Sequence, residues 1–307
     1  MSELKLTRRA ALRCLAYGGA GTLFTLSGGV LTPFDLAEAR ERPPTGQPLF
    51  LQISDTHIGF NKEANPDVAG TLRRTIALAN ALPQAPALTL HTGDITHLSR
   101  AAEFDLAQQL LGELKAGELH VVPGEHDVIE AGATEYFSRF GGASGGHGYY
   151  AFDHAGVHFL GLVNVLQFKP GGLGTLGDEQ LAWALADLRG RSASTPIVVF
   201  AHMPLWTVYE PWGWGTGDAA PLIEALRRFG SVTVLNGHIH QIVQRVEGRI
   251  TFHTARSTAY PQPAAGTAAA PGPLKVPAAE LDTYLGLTQA SLTRHPAALQ
   301  LSDRSLS

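Results

Sequence analysis

The sequence predicts an α/β protein in which sheets form the core and helices lie outside them. Two observations carry this reading: short apolar runs alternate with longer amphipathic ones, and two glycine-containing turns each join a pair of strand-like segments. Leu49–Ser54, Ala87–Leu90, Leu119–Val122, Pro196–Ala201 and Val232–Leu235 read as buried strands, each brief, largely apolar and bounded by polar or turn residues. Between them, Asp67–Leu82, Ala101–Lys115, Asp178–Leu188 and Asp218–Phe229 carry helical patterns. In the third of these Asp178 offers a cap, Leu181, Trp183, Leu185 and Leu188 repeat behind it, and Gly190 ends the run. Tyr149–Asp153 with Val157–Asn164, around His154-Ala155-Gly156, predicts a hairpin, and so does Gln241–Val246 with Arg249–Thr254, around Glu247-Gly248. Such β-α units mixed with hairpins make a layered architecture. Pro261–Pro277, rich in Ala, Pro and Gly, is expected to run over the surface, and Leu285–Leu306 to add a final hairpin.

The 307 residues, 44% of them hydrophobic, are enough for a large core. A formal net charge of -4 argues against a nucleic-acid polymer as partner, which would call for a basic face, but leaves a single nucleotide open as substrate. The first segment stands apart. Met1–Arg13 carries Lys5, Arg8, Arg9 and Arg13, an uncharged stretch follows from Cys14, and Ala37-Glu38-Ala39 closes it. A basic start, an apolar middle and an A-x-A exit form a secretory signal, and Thr7-Arg8-Arg9 makes it a twin-arginine one; an uncleaved anchor is the alternative. The expected organisation is a signal over residues 1–39, a Pro-rich linker over 40–48, a catalytic domain over 49–260, and an extension over 261–307 packing on the same domain. The twin-arginine export machinery would deliver the chain folded to the periplasm, with no stable membrane span after processing. Cys14, the single cysteine, leaves with the signal, so metals must be held by nitrogen and oxygen ligands.

Each apolar run ends in side chains of that kind. The first leads into Asp55-Thr56-His57, the second into Gly93-Asp94, the third into Gly124-Glu125-His126-Asp127, the fourth into His202 and the fifth into Gly237-His238-Ile239-His240. Ligands of open α/β sheets bind outside the carboxyl ends of the strands, so the five segments should converge. Asp55 and His57, two apart in a segment read as extended, can point to one side, as can His238 and His240. One His at a strand end is more often structural than a ligand. Five such motifs in order point to a metal site.

Together these residues resemble the calcineurin-like metallophosphoesterase family, with its ordered D-x-H, G-D, G-N-H-[DE], H and G-H-x-H. The resemblance spans Leu49 to Thr254, and the opening Gln52–His57 is most similar to the cyclic-nucleotide phosphodiesterase branch. It implies a four-layer α/β/β/α sandwich with two metal ions at one edge of the paired sheets. Asp55, His57 and His240 look like ligands of the first ion, His202 and His238 like ligands of the second, and Asp94 like the carboxylate bridging both. His126 looks like the acid near the leaving group, held by Asp127. Two cations roughly 3.5–4 Å apart clamp phosphate oxygens and make hydroxide available near neutral pH. Imidazole and carboxylate without thiolate suit two divalent or mixed-valence ions of Mn, Fe or Zn.

Glu125 stands where the family has Asn. It is expected to bind the second ion and, by adding a negative charge, to favour a more highly charged metal. Trp206, Tyr209, Trp212 and Trp214, which follow His202, are expected to wall the substrate pocket, the other reading being a loop packed into the body of the protein. His91 and His97 flank the Gly93-Asp94 turn and could orient ligands. The expected function is therefore hydrolysis of a small phosphate ester, a diester first. The runner-up is a non-catalytic periplasmic protein that binds or senses metal, and retention of His126 and Asp127 speaks against it.

Overall fold

The computed structural model describes residues 22–27, 30–35, 48–130, 133–169, 171–292 and 299–307. The chain divides into two compact units, Met1–Thr45 and Gly46–Ser307. In the first, β1 (Thr22–Ser27) and β2 (Val30–Asp35) pair antiparallel. Arg8-Arg9 and the A-x-A exit of the expected signal lie outside the described residues.

The second unit is built on two mixed sheets. β3 (Pro48–Ile53), β4 (Leu88–His91) and β5 (Glu118–Val121) run parallel in one. The C-terminal pair β12 (Gly286–Leu292) and β13 (Leu299–Ser305) extends that sheet through antiparallel pairing of β12 with β3, giving the order β13-β12-β3-β4-β5. In the other sheet β7 (Val157–Gly161), β8 (Ile197–Phe200), β9 (Val232–Asn236) and β11 (Ile250–Thr254) run parallel. Two antiparallel edges close it, β6 (Tyr150–His154) and β10 (Gln244–Glu247). The two hairpins predicted around glycine-containing turns are present, and β12 with β13 forms the expected final antiparallel pair.

Alternation along the strands fixes the layers, because neighbouring residues of a strand face opposite sides. Phe50 joins Phe159, Val198 and Phe200 in the cluster between the sheets, and the Phe50 and Phe159 rings meet edge to face at 5.7 Å. Leu51 and Ile53 face outward, toward the side covered by α1 (Val68–Asn80) and α2 (Ala101–Leu111), which contribute Leu72, Ile76, Phe104 and Leu110. On the far side Leu160, Ile197 and Val199 pack against Leu188 of α4 (Asp178–Arg189) and Leu222 of α5 (Ala220–Leu226). The order is α/β/β/α.

Local chemistry shifts some boundaries. The Asp67 side chain caps α1, accepting from Gly70 N at 2.8 Å. Asp178 is the first residue inside α4 and not its cap; Gly177 takes that place, with a φ of 81° that glycine tolerates. The helix predicted over Asp218–Phe229 covers only Ala220–Leu226, because the Asp218 carboxylate is engaged by Leu176 N and Gly177 N at 2.9 and 2.8 Å. α3 (Thr134–Phe140) escapes the sequence reading: two turns carry too little periodicity. α6 (Leu281–Tyr284) is a single turn. No described helix is long and apolar enough to cross a membrane.

Candidate metal centre

All five motif segments follow the carboxyl ends of parallel strands, β3, β4 and β5 in one sheet and β8 and β9 in the other. Backbone hydrogen bonds stitch them together: Asp55 N to Gly93 O at 3.0 Å, His57 N to Asp94 O at 2.9 Å, and Gly237 N to His202 O at 2.9 Å. His126 N donates to Asp94 Oδ1 at 2.9 Å and His238 N to Asp55 Oδ1 at 3.1 Å.

The segments are not extended as expected. Asp55, His57, Asp94, His238 and His240 have φ of 53°, 41°, 54°, 70° and 53°, the left-handed region that non-glycine residues rarely adopt. Five of the eight such residues described are candidate ligands. Each costs on the order of 1–3 kcal/mol and persists only where the surroundings impose it. The reason is geometric: a chain leaving a strand end must kink at alternate residues to turn both side chains inward, and period-two extension does not achieve that.

Two triads result, one of Asp55, His57 and His240, the other of Glu125, His202 and His238. In the first, His57 Nε2 lies 3.2 Å from His240 Nε2, which lies 3.3 Å from Asp55 Oδ1. In the second, Glu125 Oε2 lies 2.8 Å from His202 Nε2 and Oε1 lies 2.9 Å from His238 Nδ1. Those short distances lack hydrogen-bond geometry: Glu125 Oε2, His202 Nε2 and His238 Nδ1 are buried without a hydrogen-bond partner. Buried polar atoms are normally satisfied. Orphans this close together fit donors arranged around a shared cation. Asp94 Oδ2 sits between the triads, 3.4 Å from both His57 Nε2 and His202 Nε2.

The outward nitrogens are tied down. His202 Nδ1 donates to Thr92 O at 2.7 Å and His240 Nδ1 to Tyr260 O at 2.6 Å, which leaves the inner nitrogens free to ligate. His57 Nδ1 faces His97 Nδ1 at 3.4 Å. Burial, reinforced by His126 and His240, depresses His57 well below the ordinary imidazole range, so its ring keeps a lone pair. Burial opposes charge on His202 and Glu125 alike, and their neighbours overturn it. Asp94 and Glu125 raise His202 well above normal, and His238 and His202 hold Glu125 well below. A proton on His202 thus stands in for a cation.

His126 lines the cavity above the triads, its Nδ1 donating to His97 O at 2.7 Å. Burial disfavours its charged form, but Asp94 and Glu125 outweigh that and raise it. Asp127 does not hold this ring, contrary to expectation. Its carboxylate is fully buried and accepts from Ile95 N, Thr96 N, the Thr96 hydroxyl and Gly124 N at 2.8–3.0 Å. Burial and Asp94 push it up to about 6 while those donors hold it down. Asp127 is a positioning residue that fixes the Asp94 turn against the Glu125 turn.

Gly93, at φ 93°, sits where these turns meet: a Cβ there would lie 2.6 Å from both Gly124 N and His202 Nδ1. Gly93→Ala is expected to cost about 2 kcal/mol or more and to displace His202, read as a lower melting temperature together with reduced bound metal.

The cavity, about 660 Å³, is lined by His57, Asp94, Glu125, His126, His238 and His240 at its base, with Asp55 and His202 buried. Of the four expected wall aromatics, Trp212 and Trp214 line it. Trp206 instead packs on Phe252 in the outer core, at 5.0 Å between rings, and Tyr209 turns its hydroxyl toward Gly266. Asn164 is buried and occupied by Met203 O and Thr216 Oγ1. Phe60, Lys62, Tyr260 and Gln262 also line the cavity, unanticipated because none belongs to a motif. Tyr260 stacks on His57 with ring centres 4.9 Å apart.

Two sheets packed between helix layers, with Asp and His donors converging at their strand ends, define a metallophosphoesterase, a hydrolase of phosphate esters. The chain belongs to the Calcineurin-like phosphoesterase family, whose sequence model matches residues 48–242. Glycerophosphodiester phosphodiesterase GpdQ of Enterobacter lignolyticus is 27% identical over 232 residues, 70% of this chain and 79% of that protein. A probable cyclic nucleotide phosphodiesterase of Synechococcus sp. strain WH7803 is 29% identical over 216 residues, covering 63% of this chain and 75% of the relative. A dimetal phosphatase from Danio rerio shares the fold with a TM-score of 0.65 at 15% identity, over 85% of this chain and 98% of that one.

Proposed function

We propose that the protein is a phosphodiesterase working with two metal ions. Asp55, His57 and His240 would hold one, Glu125, His202 and His238 the other, with Asp94 shared. The observation that carries this is the orphaned trio of Glu125 Oε2, His202 Nε2 and His238 Nδ1, buried and gathered beside the Asp94 carboxylate that also faces the first triad. When bound, such ions neutralise phosphoryl oxygens and make a water acidic enough to attack in line. The chain does the rest. Its strained turns hold the donors in place, and His126, oriented by His97 O, delivers a proton to the departing oxygen. The diester reading is supported by the two relatives named above, both phosphodiesterases by name.

Metal analysis of the purified chain should return two ions of Mn, Fe or Zn per molecule; full activity with one would sink the dinuclear reading. In Glu125→Ala, which removes the donor altogether, the second ion should be held at least about ten- to a hundredfold more weakly, the scale lost when even a ligand's support is removed. An unchanged metal complement with unchanged activity would refute ligation by Glu125. We also propose that residues 1–39 direct twin-arginine export to the periplasm ahead of the 40–48 linker. Replacing Arg8 and Arg9 by Lys should then leave the protein in the cytoplasmic fraction.

A further inference from the structure

The outer part of the cavity is apolar on one side. Val128 and Phe168 pack against Val163, Val165 and Met203, a buried cluster that anchors this wall. The next residues of the chain, Ile129 and Leu166, stand 57% and 52% exposed and line the cavity. They are two of six large hydrophobic side chains left exposed among the described residues. Exposed apolar surface that continues a functional site marks what the site binds. The wall also begins two residues beyond His126, which lines the same cavity.

From this wall we infer the substrate class: a phosphodiester with at least one apolar, alkyl or aryl, arm, in preference to glyceryl arms. This rests on the diesterase reading above. Val128, Ile129, Val165, Leu166 and Phe168 present no polar side chain, so hydroxyls laid on them would lose water and gain nothing. Outside the proposed ligands, Lys62 is the single Lys, Arg, Asp or Glu lining the cavity. An alkyl arm would cover Ile129 and Leu166 and gain for each methylene removed from water.

The test compares dibutyl phosphate with diglyceryl phosphate. The two are of similar size, and both expel an alkoxide. The metal-loaded protein should turn over the butyl ester with a kcat/KM higher on the order of tenfold, given a wall that buries only part of each arm. Ile129→Ser/Leu166→Ser, at positions exposed enough to spare the fold, should bring that ratio down several-fold. Equal or better turnover of the glyceryl ester overturns the inference, as does a ratio unmoved in the double variant. Failure to cleave any diester, aryl ones included, overturns the diesterase reading itself.

Discussion

Stripping the protein with a chelator is expected to abolish turnover and lower the melting temperature by roughly 10 °C, both restored by Mn, Fe or Zn. The structural reason is that each proposed ion draws donors from both sheets. Asp55 and His57 follow β3 while His240 follows β9; Glu125 follows β5 while His202 and His238 follow β8 and β9. Bound there, the ions would clip the two sheets together at the rim where candidate ligands take left-handed backbone conformations. A ligand at a thousand times its dissociation constant stabilises by about 4 kcal/mol, and a domain of this size shifts by roughly 2–4 °C per kcal/mol. The raised His202 sets the pH dependence. Its proton must leave before a cation can bind, so metal affinity should fall as pH falls and chelation should become easier in mildly acidic buffer. Differential scanning calorimetry with and without chelator, alongside metal analysis, checks both parts. A melting temperature indifferent to chelator would leave the triads without a structural role.

What the sequence revealed and what it withheld have physical causes. Strands such as Ile197–Phe200 are legible because burial on both faces leaves a continuous apolar run. The candidate ligands were legible because each motif follows such a run and topology then brings the strand ends together. The backbone between them was not, since left-handed turns at Asp55 and His57 are imposed by Gly93, Asp94 and Ser257, partners 37 to 202 residues away in sequence. Asp127 misled for the same reason: adjacency to His126 suggested contact, yet the single 3-10 turn Glu125–Asp127 sends the two side chains apart. Among the aromatics, interleaving with Pro and Gly could not say which rings face the cavity. Trp206 went to the core because it precedes the turn closed by the Tyr209–Trp214 bridge, while Trp212 and Trp214 lie within it. Tyr260 carries no motif at all, and its place beside His57 comes from the segment that returns after β11.

His126→Ala is expected to separate proton delivery from metal binding. His126 belongs to neither triad, so the variant should keep both ions; loss of one would make the residue a ligand, since its ring also lies within reach of Asp94 and Glu125. With metals retained, the proton donor's contribution is on the order of a hundredfold or more in kcat. That loss depends on the leaving group. An alkoxide is a strong base and needs the proton in the transition state, so alkyl diesters should suffer the full drop. A nitrophenolate leaves almost unaided, so its esters should suffer little. The pH profile supplies a second, independent readout. The acid acts only while protonated, so the rate on alkyl esters should decline as pH rises past the pKa of His126, and the decline should vanish in the variant. Equal losses on alkyl and nitrophenyl esters would show that His126 orients the substrate without donating a proton.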